Sequence, residues 1–335
     1  MRIGLISHEL TYSGGPRSML NMSKAFRKLG HDVKVYSVKD GAFRTEYINN
    51  GFNIDILDDI IDDDLDIILG NTVFSIDALE KYVRGTVKKI LVIREAHNLD
   101  EIIQNIGITY ERLNVADEIW CVSEYAYQFL MSKYKYKNIK VLHNYVENMG
   151  WPGLNVLHER KIRFAVLGTV EKRKQQNEII NAFNKLPDFL RNKAELYVVG
   201  RRPKWSEDYW GEFWNKKYKN VFFYDEICDQ EELKRFYKRM NVLIIGSLDE
   251  ACSLVALEAA SYGKALILSE NVGAKYILDS PKYVFKTGDE DDLCKKMSLL
   301  TSRRELLING IKNRVNYLRT STEKIYIKEI GEKIR

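Results

Sequence analysis

Short apolar runs recur along the chain and alternate with longer segments of helical period. RIGLIS (Arg2–Ser7) reads as a buried strand; HELTYSGGPRS follows as a turn, and a helix-period run over 18–29 stops at Gly30. Residues 32–38, IILGN (67–71) and KILVIR (89–94) read as further strands, and ADEIWCVSEYAYQFLMSKY leads into IKVLHNYVE. A second series opens at Ile162–Leu167 and continues through ELYVVG (195–200), VFFYDEI, NVLIIGS (241–247) and ALILS (Ala265–Ser269). NVLIIGS and ALILS are short, apolar and rich in aliphatic residues, which predicts strands of a buried parallel sheet. The alternation of strands with helices predicts an α/β chain whose two halves each read as a β/α series. The Gly- and Pro-containing stretch 148–160 reads as the linker between them.

The most informative segment is DEACSLVALEAASYGKALILSENVG (249–273). Ser253 suits an N-cap, 254–262 is helix-compatible, and Gly263 is placed just past the helix end. Glu250 therefore falls in the loop after a strand and Glu258 on the second turn of the helix. In parallel sheets ligands sit at the carboxyl ends of the strands, where this loop opens. Backbone N–H groups at Ser253 and Leu254 can hold phosphate, and the two carboxylates can accept hydrogen bonds from sugar hydroxyls. The competing reading is a solvated helix residue and an acid that complements the helix dipole.

Other candidates stand at strand ends. Gly14 and Gly15 lie at the first strand-to-helix turn, although the pair is not GxGxxG and a plain turn explains it equally. Arg173 and Lys174 follow the strand at 162–167, where a cation could neutralise a diphosphate or simply be solvated. His97 comes just after KILVIR and could act as a general base or a hydrogen-bond partner, against the commoner surface or packing role of a lone histidine. The aspartate-rich run 55–66 alternates with Ile and Leu, which favours a solvated acidic turn over a cation site.

Composition narrows the classes. A 335-residue chain that is 45% hydrophobic and 30% charged is globular and long enough for two domains. The net charge of +5 is mild and no basic block is long enough for a nucleic-acid arm, so no nucleic-acid partner is expected. Four separated cysteines without a CxxC pair indicate neither zinc nor a disulfide framework and fit a reducing, cytoplasmic setting. No apolar run of about 18 residues is present, so a membrane role would be peripheral, at the inner face.

Two motifs carry a resemblance. Glu250-Ala251-Cys252-Ser253-Leu254, with Leu257-Glu258-Ala259 and Gly263, resembles the E-x7-E signature of retaining GT-B glycosyltransferases, close to glycosyltransferase family 4 (glycosyl transferases group 1). GGPRSMLNMSKAFRKLGHDVKVYS resembles that family's first glycine loop and helix. Departures are Ala251, Thr169, Gln175, Asn144-Tyr145, Pro16-Arg17 and Lys264-Ala265. The resemblance implies two Rossmann-like domains facing across a cleft. The acceptor-side domain would span 1–147 with a crossover helix at about 322–335, and the nucleotide-sugar domain 161–321. It implies transfer of a sugar, with retained configuration, from a nucleotide-sugar (first expectation a UDP- or GDP-sugar) to a glycan or lipid-linked acceptor in surface polysaccharide assembly, without cofactor or metal. By the same resemblance His97 and Glu250 would be catalytic. Gly14, Gly15, Arg173, Lys174, Ile227, Ser253, Leu254 and Glu258 would bind the donor, Ile227 against the base and Glu258 at the ribose. Thr169, Gln175 and Ala251 leave open a catalytically silent scaffold, and a phosphorylase or epimerase on the same fold is a further alternative.

Overall fold

The computed structural model describes residues 1–61, 64–83, 86–135, 138–150 and 160–334. The chain divides into two units, Met1–Tyr145 with Glu323–Arg335, and Val146–Thr322. Most of the stretch read as a linker, and Asp62 and Asp63 of the aspartate run, lie outside the described residues.

The first unit is built on β1 (Arg2–Ser7), β2 (Asp32–Ser37), β3 (Ile54–Ile56), β4 (Ile67–Asn71), β5 (Lys88–Ile93), β6 (Glu118–Cys121) and β7 (Ile139–Val141). Their order is β3-β2-β1-β4-β5-β6-β7, with every neighbouring pair parallel. The chain leaves β1 toward one edge and returns to add β4 on the other side, so the order reverses between β1 and β4. The Gly14–Lys28 helix joins β1 to β2 and packs against the terminal Glu323–Lys333 helix. It begins four residues earlier than its apolar period suggests. Ser13 is the extended N-cap, and Pro16 in the first turn is tolerated because no intrahelical bond is needed from its nitrogen. The glycine pair thus forms the first helical residues.

The second unit carries β8 (Ile162–Leu167), β9 (Ala194–Val199), β10 (Val221–Tyr224), β11 (Val242–Ile245), β12 (Ala265–Ser269) and β13 (Val284–Phe285). All neighbours are parallel in the order β10-β9-β8-β11-β12-β13. Alternate residues of one strand feed opposite layers. Val242 and Ile244 enter a core with Phe164, Ile179 and Phe183, while Leu243 and Ile245 enter one with Leu257, Tyr262 and Tyr317. That is why these strands lack a polar face. The order reverses between β8 and β11, the position where open α/β sheets bind ligands.

Candidate functional site

The loops after β8 and β11 meet at this reversal. Beyond β8 the backbone makes a short 3-10 turn at Lys172–Lys174, and beyond β11 it runs through Ser247 to the Leu254–Ser261 helix. The two loops are tied directly, with Leu248 N–H donating to the Arg173 carbonyl at 2.8 Å and Arg173 Nη1 donating to the Asp249 carbonyl at 3.0 Å. Glu250 is clamped from the other side as well. Its N–H donates to the Asn271 carbonyl at 3.0 Å and its own carbonyl accepts from Gly273 at 2.7 Å. The backbone therefore fixes where the Glu250 side chain starts.

That side chain lies among cations. Lys174 Nζ donates to Glu250 Oε2, Arg173 Nη1 donates to the same oxygen at 3.2 Å, and Ser247 Oγ lies 3.4 Å away. Arg173 also pairs with Glu171 at 2.7 Å. Burial opposes the charge of Glu250, but Lys174 and Arg173 more than offset it and hold the carboxyl down to about 2. Glu250 is thus an ionised, acceptor-only group across the physiological range, beside two cations able to bind phosphoryl oxygens.

The helix that follows has the predicted caps. Ser253 Oγ accepts from Ala256 N–H at 3.4 Å, leaving other first-turn N–H groups for a ligand. At its far end Gly263 takes φ +66°, and Lys264 N–H closes on the Ala259 carbonyl at 2.9 Å, a left-handed stop that a side chain would strain. Gln175 stands where the resembling pattern has glycine and adopts φ +59°, which explains the preference for glycine there. Its Nε2 donates to the Lys172 carbonyl at 3.1 Å.

The remaining sequence candidates fall elsewhere. Glu258 is only 2% exposed and accepts from Tyr237 Oη at 2.5 Å; Tyr237 stacks on Tyr262 with ring centroids 5.4 Å apart. Ile227 is half-buried against the Leu257-containing core. Gly14, Gly15 and His97 belong to the first unit. His97 is exposed, with Nδ1 2.6 Å from Tyr125 Oη and its ring 4.6 Å from that of Phe129.

Sequence reasoning missed Ser247 and Tyr237. Ser247 ends the NVLIIGS run, so position at a strand end was the available signal. For Tyr237, on the Gln230–Arg239 helix, the sequence held none. Among the described residues no group of three or more His, Cys, Asp or Glu side chains is arranged to hold a metal ion. Among them, too, no helix is long and apolar enough to cross a membrane.

Comparisons with known proteins agree with this architecture. Residues 154–315 match the family model described as Glycosyl transferases group 1. No curated protein sequence matches the chain. Among solved structures, Anabaena Alr3699/HepE in complex with UDP and glucose is similar with a TM-score of 0.80 at 14% identity, over 100% of this chain and 99% of that one. Sucrose-phosphate synthase from Thermosynechococcus elongatus gives a TM-score of 0.76 at 15% identity, over 100% and 98%. WaaG, a glycosyltransferase involved in lipopolysaccharide biosynthesis, gives 0.70 at 14% identity, over 99% of both chains. The chain has the GT-B fold, and the residues that match the glycosyl transferases group 1 model fall within its second unit. Domain and fold together support a glycosyltransferase.

Proposed function

We propose that the chain is a retaining, family 4 glycosyltransferase that moves a sugar from a nucleotide-sugar to an acceptor hydroxyl without a metal ion. The observation that carries this reading is the Lys174–Arg173–Glu250 cluster, set at the strand-order reversal of the second unit and next to the start of the Leu254–Ser261 helix. Lys174, Arg173 and the helix N–H groups neutralise the departing diphosphate, so charge that develops late in the reaction meets donors already in place. Glu250, kept ionised, accepts hydrogen bonds from the donor-sugar hydroxyls. Glu258, oriented by Tyr237, holds the ribose, and Ile227 packs on the base. His97 and the glycine pair serve from the first unit.

A UDP-sugar is the first donor to test, because Alr3699/HepE was solved with UDP and with UDP-glucose. A cytoplasmic place in glycan or surface-polysaccharide assembly fits the similarity to WaaG. The experiment is a thermal-shift screen with UDP, GDP, CDP, ADP and dTDP and their sugar conjugates, followed by proton NMR of the product anomer. A ligand at about 100 times its Kd adds about 2.7 kcal/mol of stability. Stabilisation by a uridine ligand and an anomer matching the donor support the reading. Inversion removes the retaining assignment, loss of transfer in EDTA removes metal independence, and no stabilisation by any nucleotide turns the reading to a silent scaffold.

A further inference from the structure

The sheet of the second unit ends on one side in β13, two residues long, and on the other in β10, a four-residue strand with neither proline nor charge in it. The carbonyls of Asn220 and Tyr224 accept from Leu196 N–H at 2.9 Å and from Gly200 N–H at 3.1 Å, both on the β9 side. Backbone groups of successive strand residues point to opposite edges, so Val221 and Phe223 turn their N–H and C=O groups outward. In the described sheet β9 is the single neighbour of β10, which leaves those four groups on an open edge.

The side chains of the strand divide between two faces. Val221 is buried in the core around Phe164 and Phe183, and the Phe223 ring lies 4.9 Å from that of Trp214. Phe222 and Tyr224 take the other face, 5.2 and 5.9 Å from the Tyr197 ring, and stay 39% and 46% exposed. The two flanks carry opposite charge. Lys216, Lys217 and Lys219 precede the strand, Asp225 and Glu226 follow it, and all five are exposed. Asp225 pairs with Arg202 at 2.6 Å, whereas among the described residues the three lysines and Glu226 enter no ion pair.

We propose that β10 is the surface through which two copies of this chain associate, strand against antiparallel strand about a two-fold axis at Phe222. One register uses all the open backbone groups within the strand. Val221 of each copy lies opposite Phe223 of the other, and each such pair exchanges two N–H···O bonds. Phe222 then meets its own counterpart at the axis in the non-hydrogen-bonded position, where side chains approach most closely, and the two rings shield each other from water. The charges select a second copy as the occupant. A strand with a basic start and an acidic end complements itself when reversed, so the Lys219 flank of each copy comes to the Asp225 flank of the other. The contact is the same patch on both copies, and it closes at two.

The test is sedimentation equilibrium of the whole chain across a dilution series. The expected result is a concentration-dependent rise from the mass of one chain toward twice that mass. Phe222→Lys sets two ammonium groups opposite each other on an exposed position and should raise the dimer Kd at least tenfold, with the far-UV circular dichroism unchanged. Lys219→Glu should raise it severalfold, more at low salt than at high, and adding Asp225→Lys to that variant should restore it. Phe222→Cys reads the register apart from affinity. Mild oxidation should link it to its counterpart across the axis on a non-reducing gel, and Tyr224→Cys, away from the axis, should link no more than the wild type. The mass of one chain at every concentration overturns the proposal, as does a dimer that Phe222→Lys leaves intact. A mass that climbs past two copies overturns the closed pair, and a Phe222→Cys chain that links no faster than the wild type overturns the register.

Discussion

Glu95 and Glu250 each follow the carboxyl end of a parallel strand, one in each unit, and both are largely withdrawn from water. Their ionisation is driven in opposite directions. Burial pushes the Glu95 carboxyl up to about 7 despite the Arg94 N–H that donates to it at 2.8 Å. Burial acts on Glu250 in the same sense, yet Lys174 and Arg173 bring it down to about 2. The difference lies in what the neighbouring cations are doing. Arg94 spends two of its donors on the amide oxygens of Asn71 and Asn144, whereas Lys174 and Arg173 converge on one Glu250 oxygen. A cation close by in sequence is a weaker partner than one whose donors are aimed.

The largest test of this contrast is Lys174→Ala, which makes Glu250 more like Glu95. Transfer from the UDP-sugar should fall about 10²- to 10³-fold in kcat, the loss typical of one transition-state donor, as steady-state kinetics would read. Unchanged kcat would mean that Lys174 only balances the charge of Glu250.

Next in size is a pair of amide substitutions compared by urea denaturation at pH 8. Glu250→Gln leaves Lys174 and Arg173 without their carboxylate. The distance between the ordinary carboxyl range and about 2 corresponds to roughly 3 kcal/mol, which sets the expected loss in the second unit. Glu95→Gln removes a group whose charge is disfavoured in the folded state, so the first unit should be unchanged or more stable. Equal losses at the two sites would end the comparison.

The pH dependence sharpens it with the signs opposed. The folded pKa of Glu250 is depressed, so its contribution is present above the ordinary glutamate value of about 4.5 and is lost as pH falls toward about 2. For Glu95 the folded pKa is raised, so its contribution is complete below about 4.5 and is lost as pH rises through about 7. Denaturation of the wild type followed by probes in each unit should show the first unit weakening toward neutral pH and the second toward acid. The Glu95→Gln variant should lose the former trend.

The smallest effect concerns backbone strain, which both reversal points carry on a residue other than glycine. Thr72, next to Asn71, has φ +69° and ψ 167°, and Gln175 has φ +59°. Gln175→Gly should stabilise the second unit by no more than about 1 kcal/mol in chemical denaturation, because relief of the left-handed penalty is partly cancelled by unfolded-state entropy. A loss of stability would show that the Gln175 bond to the Lys172 carbonyl outweighs the strain.

Much of this was legible in the chain. The apolar runs gave the strands and their parallel class, Ser253 and Gly263 gave both ends of one helix, and the spacing of Glu250 and Glu258 put them on a loop and on the helix behind it. Local chemistry settles such features, since each depends on residues within a turn or a strand. The same local logic misjudged the start of the Gly14–Lys28 helix, because an early proline and two glycines lower helix propensity without forbidding a first turn.

By itself, then, the sequence determined two β/α series, their buried strands and the caps that terminate individual helices. Only the tertiary structure decided that Lys174 and Arg173 would share Glu250, 76 and 77 residues away, and that Tyr237 would take Glu258. Such pairings are set by the strand order, which brings the ends of distant strands together, and by donor and acceptor geometry once they meet.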